Sequence, residues 1–361
     1  MHMADALVSP AVGGTMIAAM AGVGAHCARK LAKEGDEGKV PLMAVLGAFV
    51  FAAQMVNFTI PATGSSGHLG GGMILAILLG PHAAFLVIAS VLTVQALFFA
   101  DGGLLALGCN VFNMGFFPCF IAYPFIYKAI AGARPTQGRI FAAATLSGVV
   151  ALQLGAAGVV LETVCSGISE LPVRTFLLLM LPIHLAIGLV EGLVTMAVVT
   201  FVWKARPEVL EAAAAARPAA ARSSRPVVAG FLAAALATGG ALAWFASAHP
   251  DGLEWVIGRV TGKKELAAPT TGVHAALARA QEHSAILPDY QFKSAAGEDG
   301  GGGPLTQANE QAGQPAAASS ASVRLGTSMA GLVGAIITLL LAGAIGLAAK
   351  MARRQPNSRA F

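Results

Sequence analysis

Phe58-Thr-Ile-Pro-Ala-Thr-Gly-Ser-Ser-Gly-His68-Leu-Gly-Gly-Gly72 runs directly into Met73-Ile-Leu-Ala-Ile-Leu-Leu79 and stops at Gly80-Pro81. The first part is too rich in glycine and serine to cross a bilayer as a helix. The second is far shorter than the roughly 20 apolar residues a helical crossing needs. Whether this pair of segments amounts to one crossing decides on which side of a membrane every later loop lies. Irregular backbone at membrane depth is tolerated only where protein or a polar cavity surrounds it. The stretch therefore reads as a broken helix set inside a bundle.

Composition supports a bundle in lipid. Of 361 residues, 56% are hydrophobic and 11% are charged, against roughly 25% charged in soluble domains. The formal charge of +5 is gathered into short clusters between apolar runs, which reports topology rather than nucleic-acid binding. Cys27, Cys109, Cys119 and Cys165 lie in or beside apolar runs without paired spacing, as small packing residues do. The amino terminus lacks a basic region, and Asp5 and Pro10 precede the apolar stretch, so it does not read as a secretory signal and a retained terminal amine is expected.

Apolar runs at 12–28, 41–58, 83–100, 104–131, 140–161 and 176–203 read as spans. With 73–79 as a crossing there are about seven up to residue 204. Lys and Arg concentrate on the cytoplasmic side. Under this count Arg29, Lys30, Lys33 and Lys39, then Lys128, Arg134 and Arg139, then Lys204, Arg206, Arg217, Arg222 and Arg225, all fall inside. Met1 and His68 both fall outside. Runs at 227–248 and 325–349 make a second, two-span unit ending inside at Lys350, Arg353, Arg354 and Arg359. The expected fold is thus all-α: a membrane unit at 1–204, a linker at 205–226, and a unit at 227–361 with an external loop at 249–324. Residues 300–303 and 307–322 have the composition of disordered chain.

Met1-His2 offers a terminal amine, an amide nitrogen and the ring Nδ1, which can bind one ion in a plane through a five- and a six-membered chelate ring. The ring of His68 can fill the fourth corner. Four nitrogens in a square suit Ni(II) or Cu(II), with Co(II) less selective for it. Zn(II) prefers a tetrahedron and Mg(II) or Ca(II) prefer oxygen. Protons compete for the amine and both imidazoles, so capture is expected to weaken below roughly pH 6.5, the ordinary histidine pKa. The residues alone leave a second reading open, in which both histidines are solvated or hydrogen-bonded loop residues. Within the spans, His184 and Glu191 share a helix face, and with Asn110 and Asn113 they are candidates for a cavity lining or for ordinary contacts between helices. His26 and His82 read as interfacial, and His249, His274 and His283 as solvated. Ala18, Gly22 and Ala25 form a small-residue stripe suited to close helix contact. No HExxH, Walker A or nucleophile-elbow motif is present.

Met1-His-Met-Ala-Asp-Ala-Leu-Val-Ser-Pro10, Thr63-Gly-Ser-Ser-Gly-His68-Leu-Gly-Gly-Gly72, Gly108-Cys-Asn-Val-Phe-Asn-Met-Gly115 and the stretch from His184 to Glu191 resemble the NikM/CbiM family. These are substrate-capture components of energy-coupling factor transporters for nickel and cobalt. Pro250-Asp-Gly-Leu-Glu254, Asp289-Tyr290 and Ala330-Gly-Leu-Val-Gly334 resemble the PDGLE domain, similar to the small NikN/CbiN component. The resemblance implies square-planar ligation by Met1, His2 and His68, and Ni(II) or Co(II) as transported substrate with no organic cofactor. It implies a transmembrane coupling protein and ABC-type ATPases as partners. It places the chain in a bacterial or archaeal cytoplasmic membrane, with its amino terminus outside and its carboxyl terminus inside. Nickel is the first expectation, and cobalt for cobalamin synthesis the alternative. An intramembrane metalloenzyme built on His184 and Glu191 is the competitor from another class.

Overall fold

The structure, a computed structural model, describes residues 1–34, 38–133, 135–215, 225–263, 265–292 and 317–354. Arg134, Arg217, Arg222, Arg359 and residues 300–303 and 307–316 lie outside the described residues, and so does part of the linker. The first unit runs α1 (Pro10–Glu34), α2 (Lys39–Gln54), a hairpin of β1 (Phe58–Ile60) and β2 (Ser65–Gly67), α3 (Gly72–Leu79), α4 (Pro81–Phe98), α5 (Leu107–Ala131), α6 (Gln137–Ser166), α7 (Val173–Ala205) and α8 (Pro207–Ala215). The second runs α9 (Arg225–Gly240), α10 (Gly252–Thr261), α11 (Gly272–Ser284) and α12 (Ala317–Arg354). The helices α1, α4, α5, α6, α7 and α12 are long and apolar enough to span a membrane; α2 and α9 are shorter apolar helices. The chain is a multi-pass, all-α membrane protein.

The deciding stretch is short because its glycine-rich part enters the bundle. Gly70 packs against Leu152 and Glu191, near the middles of α6 and α7. From that depth α3 needs only eight residues, about 12 Å, to reach the far end. There Gly80 lies beside α8 and His82 faces Glu34 of α1, Nδ1 to Oε1 3.6 Å. Every residue of α3 is buried, as a broken helix in lipid requires. The turn into α3 is made at Gly71, where φ is +74° and a Cβ would meet Val50 at 2.5 Å. Gly80 then lets Pro81 open α4 at a first-turn position that needs no N–H.

Some elements differ from the sequence expectation. The tract before His68 forms a two-stranded antiparallel hairpin, Phe58 opposite Gly67 and Ile60 opposite Ser65. Between Phe112 and Tyr127, α5 is wound with wide i→i+5 hydrogen bonds. Pro118 and Pro124 lie inside this stretch and lack the N–H that a regular turn would use. The section 249–324, read as an external polar loop, carries the helices α10 and α11. Residues 317–322, read as disordered, begin α12. The apolar run 227–248 is helical only to Gly240, followed by a single tight turn at Leu242–Phe245.

The second unit is held by close backbone contact. α9 and α12 both pack on α2, with Phe51 of α2 against Gly334 and Gly47 against Thr338 and Ala342. They touch each other at Gly239 and Gly331, where a Cβ on Gly331 would lie 2.3 Å from the Gly239 carbonyl oxygen. Small residues at a crossing let two backbones meet without an aqueous hydrophobic driving force. Gly331→Ala is expected to destabilise the protein by about 1–3 kcal/mol through overpacking. Gly230→Ala, on an open face of α9, serves as the control in thermal unfolding of the purified chain, giving the gain of about 0.5–1 kcal/mol that alanine brings to a helix where nothing is crowded.

Candidate metal centre

The first eight residues are threaded into the end of the bundle rather than left in solvent. Met3, Leu7 and Val8 are fully buried. The amide of Met3 donates to Asn110 Oδ1 at 2.7 Å, and Asn110 Nδ2 donates to the Met3 carbonyl at 3.2 Å. Gly103 N also donates to that carbonyl at 2.9 Å, and Ala106 N donates to Asp5 Oδ1 at 3.0 Å. A side-chain amide can match a backbone donor and acceptor at once. Asn110 therefore sets the register of the segment and, two residues back, the position of the terminal nitrogen.

That nitrogen lies 3.2 Å from His68 Nε2 and donates to Asp251 Oδ2 at 2.7 Å. The other ring nitrogen of His68, Nδ1, is 3.0 Å from the Leu69 carbonyl. A carbonyl only accepts, so Nδ1 carries the ring proton and the Nε2 lone pair faces the amine. Burial, with the terminal ammonium next, lowers the His68 ring to about 3, which keeps it neutral. Burial alone would raise the Asp251 carboxyl, but the ammonium 2.7 Å away outweighs it and holds Asp251 well below the usual carboxylate range. The His2 ring stacks on His68, centroids 5.0 Å apart and planes 11° from parallel. Its pKa is also lowered, by burial above all. Proton competition at the two rings thus moves below the pH 6.5 expected from sequence.

Met1, His2 and His68, 67 positions apart in sequence, are brought together. One detail departs from the planar chelate. His2 Nδ1 lies 3.1 Å from Asp101 Oδ1, so the ring atom a six-membered chelate ring needs is turned to a carboxylate. Among the described residues, His2 Nε2 is buried without a partner.

The second unit covers this site from two sides. Ser66 of β2 donates through its amide to the Pro250 carbonyl at 2.8 Å and through its hydroxyl to the His249 carbonyl at 2.8 Å. Asp251 caps α10 by accepting from Glu254 N at 2.8 Å, and Glu254 Oε2 accepts from Asp251 N at 3.1 Å, a reciprocal capping box. This leaves Asp251 Oδ2 for the terminal ammonium. A Cβ on Gly252 would lie 2.6 Å from Ile183 and 3.1 Å from the His184 ring, and Leu253 is fully buried. The Pro-Asp-Gly-Leu-Glu run thus has a contact for each residue. On the other side Tyr290 donates its hydroxyl to Asp101 Oδ2, while the opposite oxygen faces His2. Gln281 Nε2 donates to the carbonyls of Ala96 and Gly102 at 2.9 and 2.8 Å. His274, read as solvated, is buried with Nε2 2.9 Å from the Val8 carbonyl.

The remaining candidates support the site's backbone. Glu191 accepts from Gly70 N at 2.8 Å and Gly71 N at 3.0 Å, and Gln54 Nε2 donates to the Gly70 carbonyl at 2.8 Å. Asn113 Nδ2 donates to Glu162 Oε2 at 2.6 Å. His184 is buried on the same wall as Met1 and His68. No group of three or more His, Cys, Asp and Glu side chains is gathered to hold a metal among the described residues. Asp101, Asp251, Glu162 and the pair Gln54–Gln95 were not singled out from sequence. Glu162, a carboxyl late in an apolar run, carried a signal; Asp101 looked like an ordinary turn residue.

Asn110→Ala strands a buried amide of Met3, expected to cost about 1–3 kcal/mol. Its amide hydrogen exchange over residues 2–8 should rise well above that of the parent, while exchange in α6 stays unchanged. Equal protection in both proteins would show that Asn110 does not hold the segment.

The chain matches the family described as cobalt uptake substrate-specific transmembrane region, CbiM, over residues 2–209, and the PDGLE domain over residues 225–351. It is 41% identical over 174 residues to a putative fused nickel transport protein NikMN of Archaeoglobus fulgidus, covering 48% of this chain and 57% of that protein. It is 33% identical over 211 residues to a putative metal transport protein of Haloquadratum walsbyi, covering 58% of this chain and 93% of that one. A crystal structure of a truncated transition metal transporter superposes with a TM-score of 0.51 at 32% identity, covering 57% of this chain and 99% of that one. These are transport proteins, not enzymes. With its first unit matched nearly from end to end, the chain belongs to the CbiM family and carries a PDGLE domain after it.

Proposed function

We propose that this chain captures a divalent d-block ion, Ni(II) ahead of Co(II), and presents it for ATP-driven import as the substrate-binding component of an energy-coupling factor transporter. The carrying observation is the terminal nitrogen of Met1 set 3.2 Å from an unprotonated His68 Nε2. Two nitrogens each about 2.0 Å from one ion at adjacent corners of a square lie about 2.8 Å apart, so a few tenths of an ångström close this pair onto an ion. The His2 amide and Nδ1 complete the square once Nδ1 leaves Asp101. The ion takes the place of protons that link the amine to Asp251 and the His2 ring to Asp101.

Nitrogen donors in a plane favour Ni(II) over Zn(II), Mg(II) or Ca(II), and the fused nickel relative supports nickel over cobalt. The reading divides the chain into a capture unit at 1–204, a linker at 205–226 and a unit at 227–361 whose outer section, 249–324, lies over the site. It sets the amino terminus on the extracytoplasmic side of a bacterial or archaeal cytoplasmic membrane and the carboxyl terminus inside. The partners are a transmembrane coupling protein, for which the exposed stripe of Ala18, Gly22 and Ala25 offers a close-contact face, and a pair of ABC ATPases.

Uptake of Ni(II) by the reconstituted complex, with Co(II) as competitor, tests the metal; preference for Co(II) would reverse the assignment. Adding one glycine ahead of Met1 moves the amine out of the chelate and should abolish Ni(II) retention with expression unchanged. His68→Ala removes one in-plane nitrogen and should weaken Ni(II) binding by roughly 100-fold, measured by equilibrium dialysis. Unchanged affinity in either variant would assign the donors elsewhere.

A further inference from the structure

His2 is the one proposed ligand whose ring is turned aside, and the group that turns it aside is held by the second unit. Asp101 Oδ1 lies 3.1 Å from His2 Nδ1. The other oxygen, Oδ2, accepts the hydroxyl of Tyr290. An ionised carboxylate only accepts, so the His2 ring proton sits on Nδ1 and Nε2 presents a lone pair. That Nε2 is buried without a partner among the described residues, an arrangement that is costly unless another state of the site uses the atom.

Tyr290 is itself firmly placed. Its ring stacks on Phe99, centroids 5.1 Å apart and planes 18° from parallel, and meets Phe51 edge-on at 6.3 Å. Asp289 and Tyr290 have φ of +50° and +59°, a region that residues other than glycine seldom adopt and that collects at functional sites. The chain leading to them is fastened to the end of α4. Ser284 Oγ donates to the Leu97 carbonyl at 2.7 Å, Ile286 N to that of Phe98 at 3.0 Å and Asp289 N to that of Phe99 at 2.9 Å. The last carbonyls of a helix have no partner within it, and here the second unit supplies one. Asp101 follows on a turn whose Ala100 has φ of +55° and whose Gly102 carbonyl accepts from Gln281. The second unit thus fixes both the turn that carries Asp101 and the direction of its carboxylate.

A half turn of the His2 ring about Cβ–Cγ exchanges Nδ1 with Cδ2 and Nε2 with Cε1. Nδ1 then leaves Asp101. Nε2 takes the place of Cε1, the atom bonded to Nδ1, and so comes beside the carboxylate. The plane of the ring is unchanged, so the stack on His68, 11° from parallel, can persist. A metal-bound imidazole almost always donates its second nitrogen to a carboxylate, a carbonyl or water, which fixes the ring and strengthens it as a ligand. Asp101 is placed to be that carboxylate for His2.

Resting on the capture reading above, we propose that Tyr290 is a positioning residue for capture: its hydroxyl holds Asp101 as the partner of both states of the His2 ring. Asp101 accepts from Nδ1–H before the ion arrives and from Nε2–H once Nδ1 is bound. One proton leaves Nδ1 and one returns at Nε2, so the ring is neutral in both states. A residue of the second unit in this way supports a ligand of the first without touching the ion.

The test uses the full chain with isotope-labelled histidine nitrogens and Ni(II) as the probe. Ni(II) in a square of nitrogens is diamagnetic, so nuclear magnetic resonance reads the His2 tautomer with and without the metal. Nδ1–H is expected in the metal-free chain and Nε2–H in the loaded one. A proton that stays on Nδ1 after loading, or one already on Nε2 before it, would overturn the proposal. Tyr290→Phe keeps the aromatic stack and removes only the hydroxyl. It should leave a mixture of His2 tautomers in the metal-free chain and weaken Ni(II) binding about tenfold. A merely structural tyrosine would lower thermal stability and leave the single tautomer in place; that result, or parent-like affinity in the folded variant, would overturn the positioning role. If Tyr290→Phe does not fold, Asp101→Asn, which can donate as well as accept, should give the same mixture, and a single Nδ1–H tautomer there would sink the idea. Unchanged Ni(II) affinity in His68→Ala would sink the capture reading; with that reading intact, a His2 proton that never moves sinks only this one.

Discussion

The ammonium of Met1, between the Nε2 lone pair of His68 and the carboxylate of Asp251, is the interaction on which this end of the bundle depends. A terminal charge at this burial is tolerated because it is paired and hydrogen-bonded. Three separate parts of the chain supply what it needs. The Asn110 side chain fixes the register of the leading residues. The glycine-rich tract delivers His68 from inside the bundle. The capping turn of α10 delivers Asp251 from the second unit. None of the three sits in place by itself, since the tract is held by Glu191 and Gln54, and the capping turn by Ser66.

The polar groups form layers. Around the terminal nitrogen are imidazoles and carboxylates; one layer deeper, Glu191 and Gln54 satisfy the buried backbone of residues 70 and 71, and Gln95 Nε2 donates to Gln54 Oε1. This deeper layer permits a non-helical loop at membrane depth, where an unpaired amide is severely penalised. It also explains why the candidates inside the spans divide in role. Glu191 and Asn110 are occupied with backbone and the Asn113 amide with Glu162, while among the described residues His184 Nε2 and Asn113 Oδ1 are buried without a partner.

Much of this was readable from sequence where the signal is local. Long apolar runs and basic clusters marked the spans, and the run of glycines before Met73 marked a broken helix. The crossing count put His2 and His68 on one side of the membrane, which permitted their pairing without requiring it. What could not be read depends on contacts across long stretches of chain. Asp251 meets Met1 from 250 positions away, and nothing in a turn sequence such as Asp101-Gly-Gly announces that its carboxylate will face His2 and Tyr290. His274 looked solvated because its own helix is polar; the partner that buries it, the Val8 carbonyl, belongs to the leading segment. The helical start of α12 was hidden by a composition of Ala and Ser that suits disorder and helix equally.

Joining both units in one polypeptide alters the arithmetic of the lid over the site. Were the PDGLE unit a separate subunit, α10 would have to find the amine by diffusion in the plane of the membrane, with only the Asp251 ion pair, the Ser66 hydrogen bonds and the packing of Gly252 and Leu253 to hold it there. Here α9 and α12 are already seated on α2, so Asp251 meets Met1 as a tethered group, at an effective concentration on the order of millimolar. The tether of α9 and α12 to α2 thus lets the several modest contacts of the Pro250–Glu254 turn hold it over the site without a strong bond at any one residue.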